Sequence, residues 1–352
     1  MMVLMTSIDI LPTRRNEIKQ AVIKALKNSD SHCLPLKIKS IVRSFSNVRL
    51  ISFSKHMKRM NLSYKQMITS VGSNDACTDF YVDSELYYIY YNDIDKNITN
   101  SNRYRWNIAH ELGHILLKHH VDNNKTRIFR SGLTDFEYDL LEAEADYFAQ
   151  LILVPHAALI GFRINSHKNI RNMCKISDPA AKKRLYEYII WKNHVDSEDI
   201  YDKQIFAYFY SFIFKKKCQN CGSGIVQRYG EYCIICGKKS LQWGDGNMIY
   251  EKIKTYKNNK LCTCPVCDNE ETDVDGNFCS ICSFNLINLC SNFECTETLP
   301  SNARYCPKCG CKSMFFKNDV LKPWNYHEPT GFMGIPDFDL PNEVENEGFP
   351  FN

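Results

Sequence analysis

No stretch of this chain is apolar for long enough to cross a bilayer. Its longest aromatic run, from Ile205 to Phe214, has about half the length a spanning helix needs. The opening residues, MMVLMTSIDILPTRRN, lack a basic segment ahead of an apolar run and lack a small-residue cleavage site, so no signal peptide is read there. Nor is there a large excess of either charge: 44 Lys and Arg stand against 40 Asp and Glu, and nothing global demands a polyanionic partner. These absences lead us to expect a cytoplasmic protein with no membrane partner. At 352 residues the chain is long enough for two or three domains. What it has in quantity is cysteine, 17 residues. In a reducing compartment, paired cysteines bind zinc rather than one another.

The most informative stretch runs from Arg103 to His120, RYRWNIAHELGHILLKHH. Ile108, Leu112, Ile115 and Leu116 recur at three- and four-residue steps, and Gly113 is its one helix-weakening residue, so it reads as a helix. On a helix, His110 and His114 stack one turn apart on one face and can hold a zinc ion. Glu111, directly after the first His, can take a proton from metal-bound water. A second helix is expected over Asp135 to Leu153, with Leu141, Ala145, Phe148 and Ile152 as its apolar stripe and Pro155 as its stop. It should supply a carboxylate as third ligand, Glu142 or Glu144. The helical wheel does not separate the two. Asp146, one turn beyond Glu142, could accept the free ring N–H of a ligating His, which favours Glu142. His120 stands where a third His falls in HExxHxxGxxH, but Leu117 occupies the Gly position. If the helix simply continues, His120 rotates away, and His119 and His120 are read as surface or last-turn histidines.

Three motifs in order, RYRWNIAHELGHILL, EAEADYFAQLILVP and ISDPAAKKRL, resemble the ImmA/IrrE family of metallopeptidases over roughly residues 20 to 195. The resemblance implies a single-zinc protease with a compact mixed α/β catalytic domain. It implies His110 and His114 as zinc ligands, Glu111 as the catalytic carboxylate, and Glu142, the Glu of an ExxA[ND]xFA pattern, as the third ligand. Known members cleave DNA-bound transcriptional repressors, so the expected substrate is a protein of that kind.

The remaining segments carry weaker signals. Residues 1 to 60 hold twelve Lys and Arg against three Asp and Glu, either a docking surface for an acidic partner or DNA, or a solvated face. Helices are expected over 15–27, 35–45 and 62–71, and a strand over 48–54. A hairpin with Phe80, Val82, Leu86, Tyr88 and Tyr90 should turn at Asp83-Ser84. The strand directly before the HELGH helix could offer its edge to a peptide substrate. Tyr87 to Tyr91 place phenols near the cleft, and none is assigned a role. Residues 92–102 read as a loop. Within 170–190, Ser177, Asp178 and Pro179 mark a helix start, and Lys182, Lys183 and Arg184 allow a helix-turn-helix reading.

In the last third, Cys218, Cys221, Cys233 and Cys236 form one set, and Cys264, Cys267, Cys279 and Cys282 repeat its spacing. Cys290, Cys295, Cys306 and Cys309 form a looser third. Each fits a tetrahedral structural site. Cys262 and Cys311 lie close enough to confuse the ligand choice, while Cys33, Cys77 and Cys174 read as buried thiols. Residues 218–322 hold twelve Lys and Arg against eleven Asp and Glu, and every Zn(Cys)4 centre adds negative charge. Protein recognition therefore fits the ribbons better than nucleic-acid binding.

The expected architecture is α+β: a mainly helical zincin-like catalytic domain with a small β-sheet over 1–195, then a linker over 196–217. A first zinc ribbon follows over 218–260, a double zinc ribbon over 261–322, and a disordered acidic tail over 323–352, in which residues 335–340 could dock. The expected cofactors are one catalytic zinc and up to three structural zincs. The expected function is a zinc endopeptidase acting on a repressor. The rival reading is a non-catalytic ribbon adaptor or nucleic-acid-binding regulator, and two His plus one carboxylate also suit iron.

Overall fold

Proline opens the first helix, Pro12–Lys27, at a position where its missing N–H leaves no helical hydrogen bond unmade. The computed structural model describes residues 9–128, 133–194 and 199–326. The chain divides into two units, Met1–Lys215 with Val226–Arg228, and Lys216–Ile225 with Tyr229–Asn352. The acidic tail from 327 onward, including the segment 335–340, lies outside the described residues, as do the opening residues 1–8. Among the described residues no helix is long and apolar enough to cross a membrane.

The first unit is helical around one three-stranded sheet with the order β1-β3-β2. Strand β1, Val48–Ser52, runs parallel to β3, Leu86–Tyr91. Strand β2, Ala76–Tyr81, pairs antiparallel with β3 after a tight turn at Val82–Ser84. The strand immediately before the HELGH helix is thus the central one, with both edges occupied. The edge strands are β1 and β2, and β2 is the one beside the HELGH helix's cleft, with Phe80 N donating to Thr126 O at 2.8 Å on it. Tyr87, Tyr90 and Tyr91 are buried packing residues.

One helix packs on this sheet, and a second packs on that helix. The HELGH helix spans Arg103–Leu116. The glutamate helix spans Asp135–Leu153, starting at a capping box in which Thr134 and Glu137 satisfy each other's backbone N–H groups. Their crossing is close because small residues meet there. A Cβ on Gly113 would come 3.2 Å from Ala145 Cα and 3.2 Å from the Phe148 ring. Ile108, Leu112, Ala145, Phe148 and Ile152 are fully buried around that contact, the four larger side chains contributing roughly 1.5–3 kcal/mol each.

Several expectations for this unit change: the strand expected over 48–54 stops at Ser52, where a helix, Phe53–Met60, begins. The loop over 92–102 contains a short helix, Lys96–Asn100. The expected linker is instead helical, Ile200–Tyr208 and Tyr210–Ile213, with Ile205 and Phe209 in the first unit's core. The helix pair His167–Cys174 and Asp178–His194 exists, but Arg184 is buried and donates to Val154 O at 2.8 Å. It is a core residue rather than part of a basic surface.

The second unit has little regular structure. Strands β4 (Lys215–Cys218), β5 (Gly224–Val226) and β6 (Leu241–Trp243) form a small sheet in the order β5-β4-β6. Its packing departs from the expected double ribbon over 261–322. The first and third cysteine sets share one core with Ile234, Ile235, Leu299 and Ala303. The second set packs instead with Leu261, Leu286 and Phe315. The pairing of the first and third sets is reciprocal. Tyr232 N donates to Pro307 O, and Tyr305 N donates to Ile234 O, the residues at equivalent places in the two CxxC turns. Gly237, after one turn, faces the Tyr305 ring, and Gly310, after the other, faces the Tyr232 ring. Both glycines have positive φ. Because a Cβ on Gly237 would approach the Tyr305 ring to 2.8 Å, Gly237→Ala should destabilise the second unit by about 1–3 kcal/mol. A denaturant titration monitoring that unit checks this, and an unchanged midpoint would count against the reciprocal packing.

Candidate metal centre

The HELGH helix directs His110 and His114 to one face, and the glutamate helix brings Glu142 up to them. His110 Nε2 and His114 Nε2 are 3.0 Å apart, and the Glu142 carboxylate oxygens lie 3.3 Å from the first and 3.5 Å from the second. These separations fit one small cation, since bonds of 2.0–2.1 Å in a tetrahedron put ligand atoms about 3.3 Å apart. The electrostatics ask for positive charge as well. Burial opposes charging His110, but Asp146 and Glu142 outweigh it and push its pKa up to about 10. Burial drives His114 the other way, to about 3. The carboxylates around His110 favour positive charge at this place, and a cation bound between the ring nitrogens would answer the same field.

Asp146 Oδ1 lies 2.9 Å from His110 Nδ1. Glu144 does not reach the triad. Its carboxylate is buried against Arg14 and His119, 2.9 Å from each of Arg14 Nε and His119 Nε2. Glu111 stands beside the triad and outside it, accepting a hydrogen bond from Thr78 Oγ1 at 2.7 Å. Burial raises the Glu111 carboxyl, with His110 and the Thr78 hydrogen bond pulling it back.

His119 and His120 differ from expectation. The helix ends at Leu116, and Lys118 takes a left-handed conformation with φ of 61°. The chain turns back into a short helix, His119–Asp122. Both histidines end up 1% exposed rather than on the surface. His119 Nδ1 sits 2.8 Å from His114 Nδ1, and His120 hydrogen-bonds the Thr78 backbone. The stop comes one residue after the place where HExxHxxGxxH carries its glycine, at a residue type that rarely takes this conformation. Thr78, His119 and Arg14 were not singled out from sequence as parts of the site. Thr78 and Arg14 arrive through tertiary structure and leave no local signal.

The triad opens into a cleft of about 440 Å³. The edge strand forms one wall with Ala76, Cys77 and Thr78, and Trp106, Asn107 and Tyr138 line it elsewhere. Asn107 Nδ2 is buried there without a hydrogen-bond partner. Arg127 pairs with Asp79 and donates to Ser70 O at 2.9 Å, bracing the same wall.

The three cysteine sets converge as the spacing predicts. The closest sulfur pairs are 3.5 and 3.8 Å apart in the first set, 3.5 and 3.6 Å in the second, and 3.4 and 3.8 Å in the third. No cysteine is in a disulfide, whereas tetrahedral zinc thiolates with 2.3 Å bonds place sulfurs about 3.8 Å apart. Cys262 and Cys311 fall outside all three sets, so each set is a group of four that could hold a metal ion.

Residues 77–186 match the sequence model of the IrrE N-terminal-like domain, Peptidase_M78. The match begins in the edge strand and covers both helices of the triad, and it supports a metallopeptidase-like character for this segment. No curated protein matches the chain.

Proposed function

We propose that the first unit is a zinc-dependent endopeptidase, a regulatory protease whose substrate is a DNA-binding repressor protein. The observation that carries the reading is the convergence of His110, His114 and Glu142 to within 3.5 Å of each other's ligand atoms, with the Glu111 carboxylate alongside and uninvolved in that contact. A structural site would have four closed ligands, whereas three protein donors leave a position for solvent and substrate.

A zinc ion held by the triad supplies Lewis acidity, lowering the pKa of a coordinated water and polarising a carbonyl. The chain's own groups do the rest. Glu111 accepts the proton from the attacking water and delivers it to the leaving amine. Thr78 Oγ1 fixes the carboxylate from behind, 2.7 Å away. Asp146 holds His110 in the tautomer that leaves Nε2 free to bind metal. The edge strand along the cleft offers backbone groups to an extended substrate.

The ribbons are read as a protein-recruiting module held together by three further zinc ions. Four zinc ions per purified chain are therefore expected, falling to three in His114→Ala. Three ions in the wild type, unchanged by that substitution, would favour the adaptor reading instead. The substrate is tested by co-expression with candidate repressors and mass spectrometry of the fragments. The absence of any new terminus across a full panel of repressors would rule out this substrate class.

A further inference from the structure

We infer that the metal centre is held from behind by a four-residue chain, His114–His119–Glu144–Arg14, in which His119 and Glu144 are positioning residues for the ligand His114. The inference rests on the metal-centre reading above. It adds the role of three residues that neither the HELGH motif nor the ligand set includes.

The ligation proposed above fixes the polarity of the chain. His114 turns Nε2 toward His110 and Glu142, 3.0 and 3.5 Å away. A ligating Nε2 carries no proton, so neutral His114 has its proton on Nδ1. That atom lies 2.8 Å from His119 Nδ1. Only one proton fits between two ring nitrogens, so His119 Nδ1 accepts. The His119 proton is then on Nε2, where Glu144 Oε2 receives it at 2.9 Å. Arg14 closes the chain with Nε at 2.9 Å and Nη2 at 2.8 Å from the same oxygen. Each link of the chain pairs a donor with an acceptor, Arg14 Nη2 at 3.4 Å from His119 Nε2 being a contact between two donors that share Glu144 Oε2, and the assignment of each tautomer follows from the next link. The reverse polarity would put the His114 proton on Nε2, where it would block metal binding.

The arrangement answers the direct one on the other ligand, where Asp146 meets His110 Nδ1 without an intermediary. On the His114 side the carboxylate stands one imidazole further out. The burial of the chain argues that the wiring matters. His119 and the Glu144 side chain are 1% and 5% exposed, and a buried charged carboxylate is rarely better for stability than an apolar residue of the same size. Arg14 comes from the helix Pro12–Lys27, outside the segment 77–186 that matches the peptidase domain. The centre thus draws support from a helix beyond that segment.

The test uses the full-length protein and compares His119→Phe with His119→Gln. Phe keeps a ring of similar size but neither accepts nor donates. Gln has a different shape but can accept from His114 and donate to Glu144. The readout is retention of the one labile zinc ion against a graded chelator while the ribbon ions stay bound. His119→Phe should lose about 10–100-fold in affinity, and His119→Gln should stay close to wild type. A purely packing role gives the opposite order, and either that order or a wild-type affinity in His119→Phe overturns the inference. If His114→Ala fails to remove one ion, the metal-centre reading itself has failed, a distinct result. Should both His119 variants misfold, Arg14→Gln at the partly exposed end of the chain serves: faster zinc loss supports the chain, and an unchanged rate refutes it.

Discussion

Replacing Glu111 by Gln is expected to leave the zinc count at that of the wild type and to lower cleavage by about 10²–10⁴-fold. The two halves of this result come from different features of the site. Metal retention follows because the Glu111 carboxylate is not among the three convergent donors, which are His110, His114 and Glu142. The substitution is also nearly isosteric, and the Gln oxygen can still accept from Thr78 Oγ1, which lies 2.7 Å from the carboxylate. The loss of rate follows because an amide cannot take a proton from water and return it to an amine. His114→Ala differs in kind, since it removes metal and cleavage together. Fragment yield and zinc content measured on the same preparations separate the two. Cleavage at an undiminished rate in zinc-loaded Glu111→Gln would show that another group is the base. Thr78→Val is expected to cost less, because it loosens the carboxylate without removing it.

The parts of the site that could be read in the sequence are those fixed by the period of a single helix. His110, Glu111 and His114 follow from one turn of Arg103–Leu116, and the end of the glutamate helix, Asp135–Leu153, follows from Pro155. The convergence of the two helices was legible only in part. Asp146 suggested which carboxylate faces inward, while the small pair Gly113 and Ala145 that lets the helices approach became visible only in three dimensions. The histidines after the helix were misplaced because their burial depends on Lys118 adopting a left-handed conformation. Glycine or asparagine announces such a turn, and lysine does not. Arg14 lies 130 positions from Glu144 in the chain, and no local pattern links them. The helical character of 200–213 could have been read, since Tyr201, Ile205, Phe209 and Phe212 recur at three- and four-residue steps and all four are buried. The charge and spacing of the ribbons were legible. Their partnering was not, because equal spacing in the first and second sets says nothing about which surfaces meet.

That partnering sets the expected response to metal removal. A strong chelator should unfold the second unit and leave the first folded. The first unit's core is built from ordinary apolar contacts among residues such as Ile18, Leu26, Ile108, Phe148 and Ile152. In the second unit the core around the first and third sets consists largely of the cysteines themselves, and the second set sits in a small core with Leu261, Leu286, Phe315 and Leu321. In small Cys-ligated domains bound zinc contributes about 10–16 kcal/mol, which is the folding free energy. Helical circular dichroism should therefore persist while the signals of Tyr232, Tyr250 and Tyr305 change. A single substitution should reveal the coupling. Cys306→Ser breaks the third set, whose turn carries Pro307 and Tyr305, the groups that bond and cover the first set's turn. The first set should lose its ion more readily as well, while the second set, packed with Leu261, Leu286 and Phe315, keeps its own. If Cys306→Ser releases one ion and leaves the first set's chelator resistance unchanged, the reciprocal hydrogen bonds between the two turns carry no cooperative free energy, and the two sets are independent ribbons that merely touch.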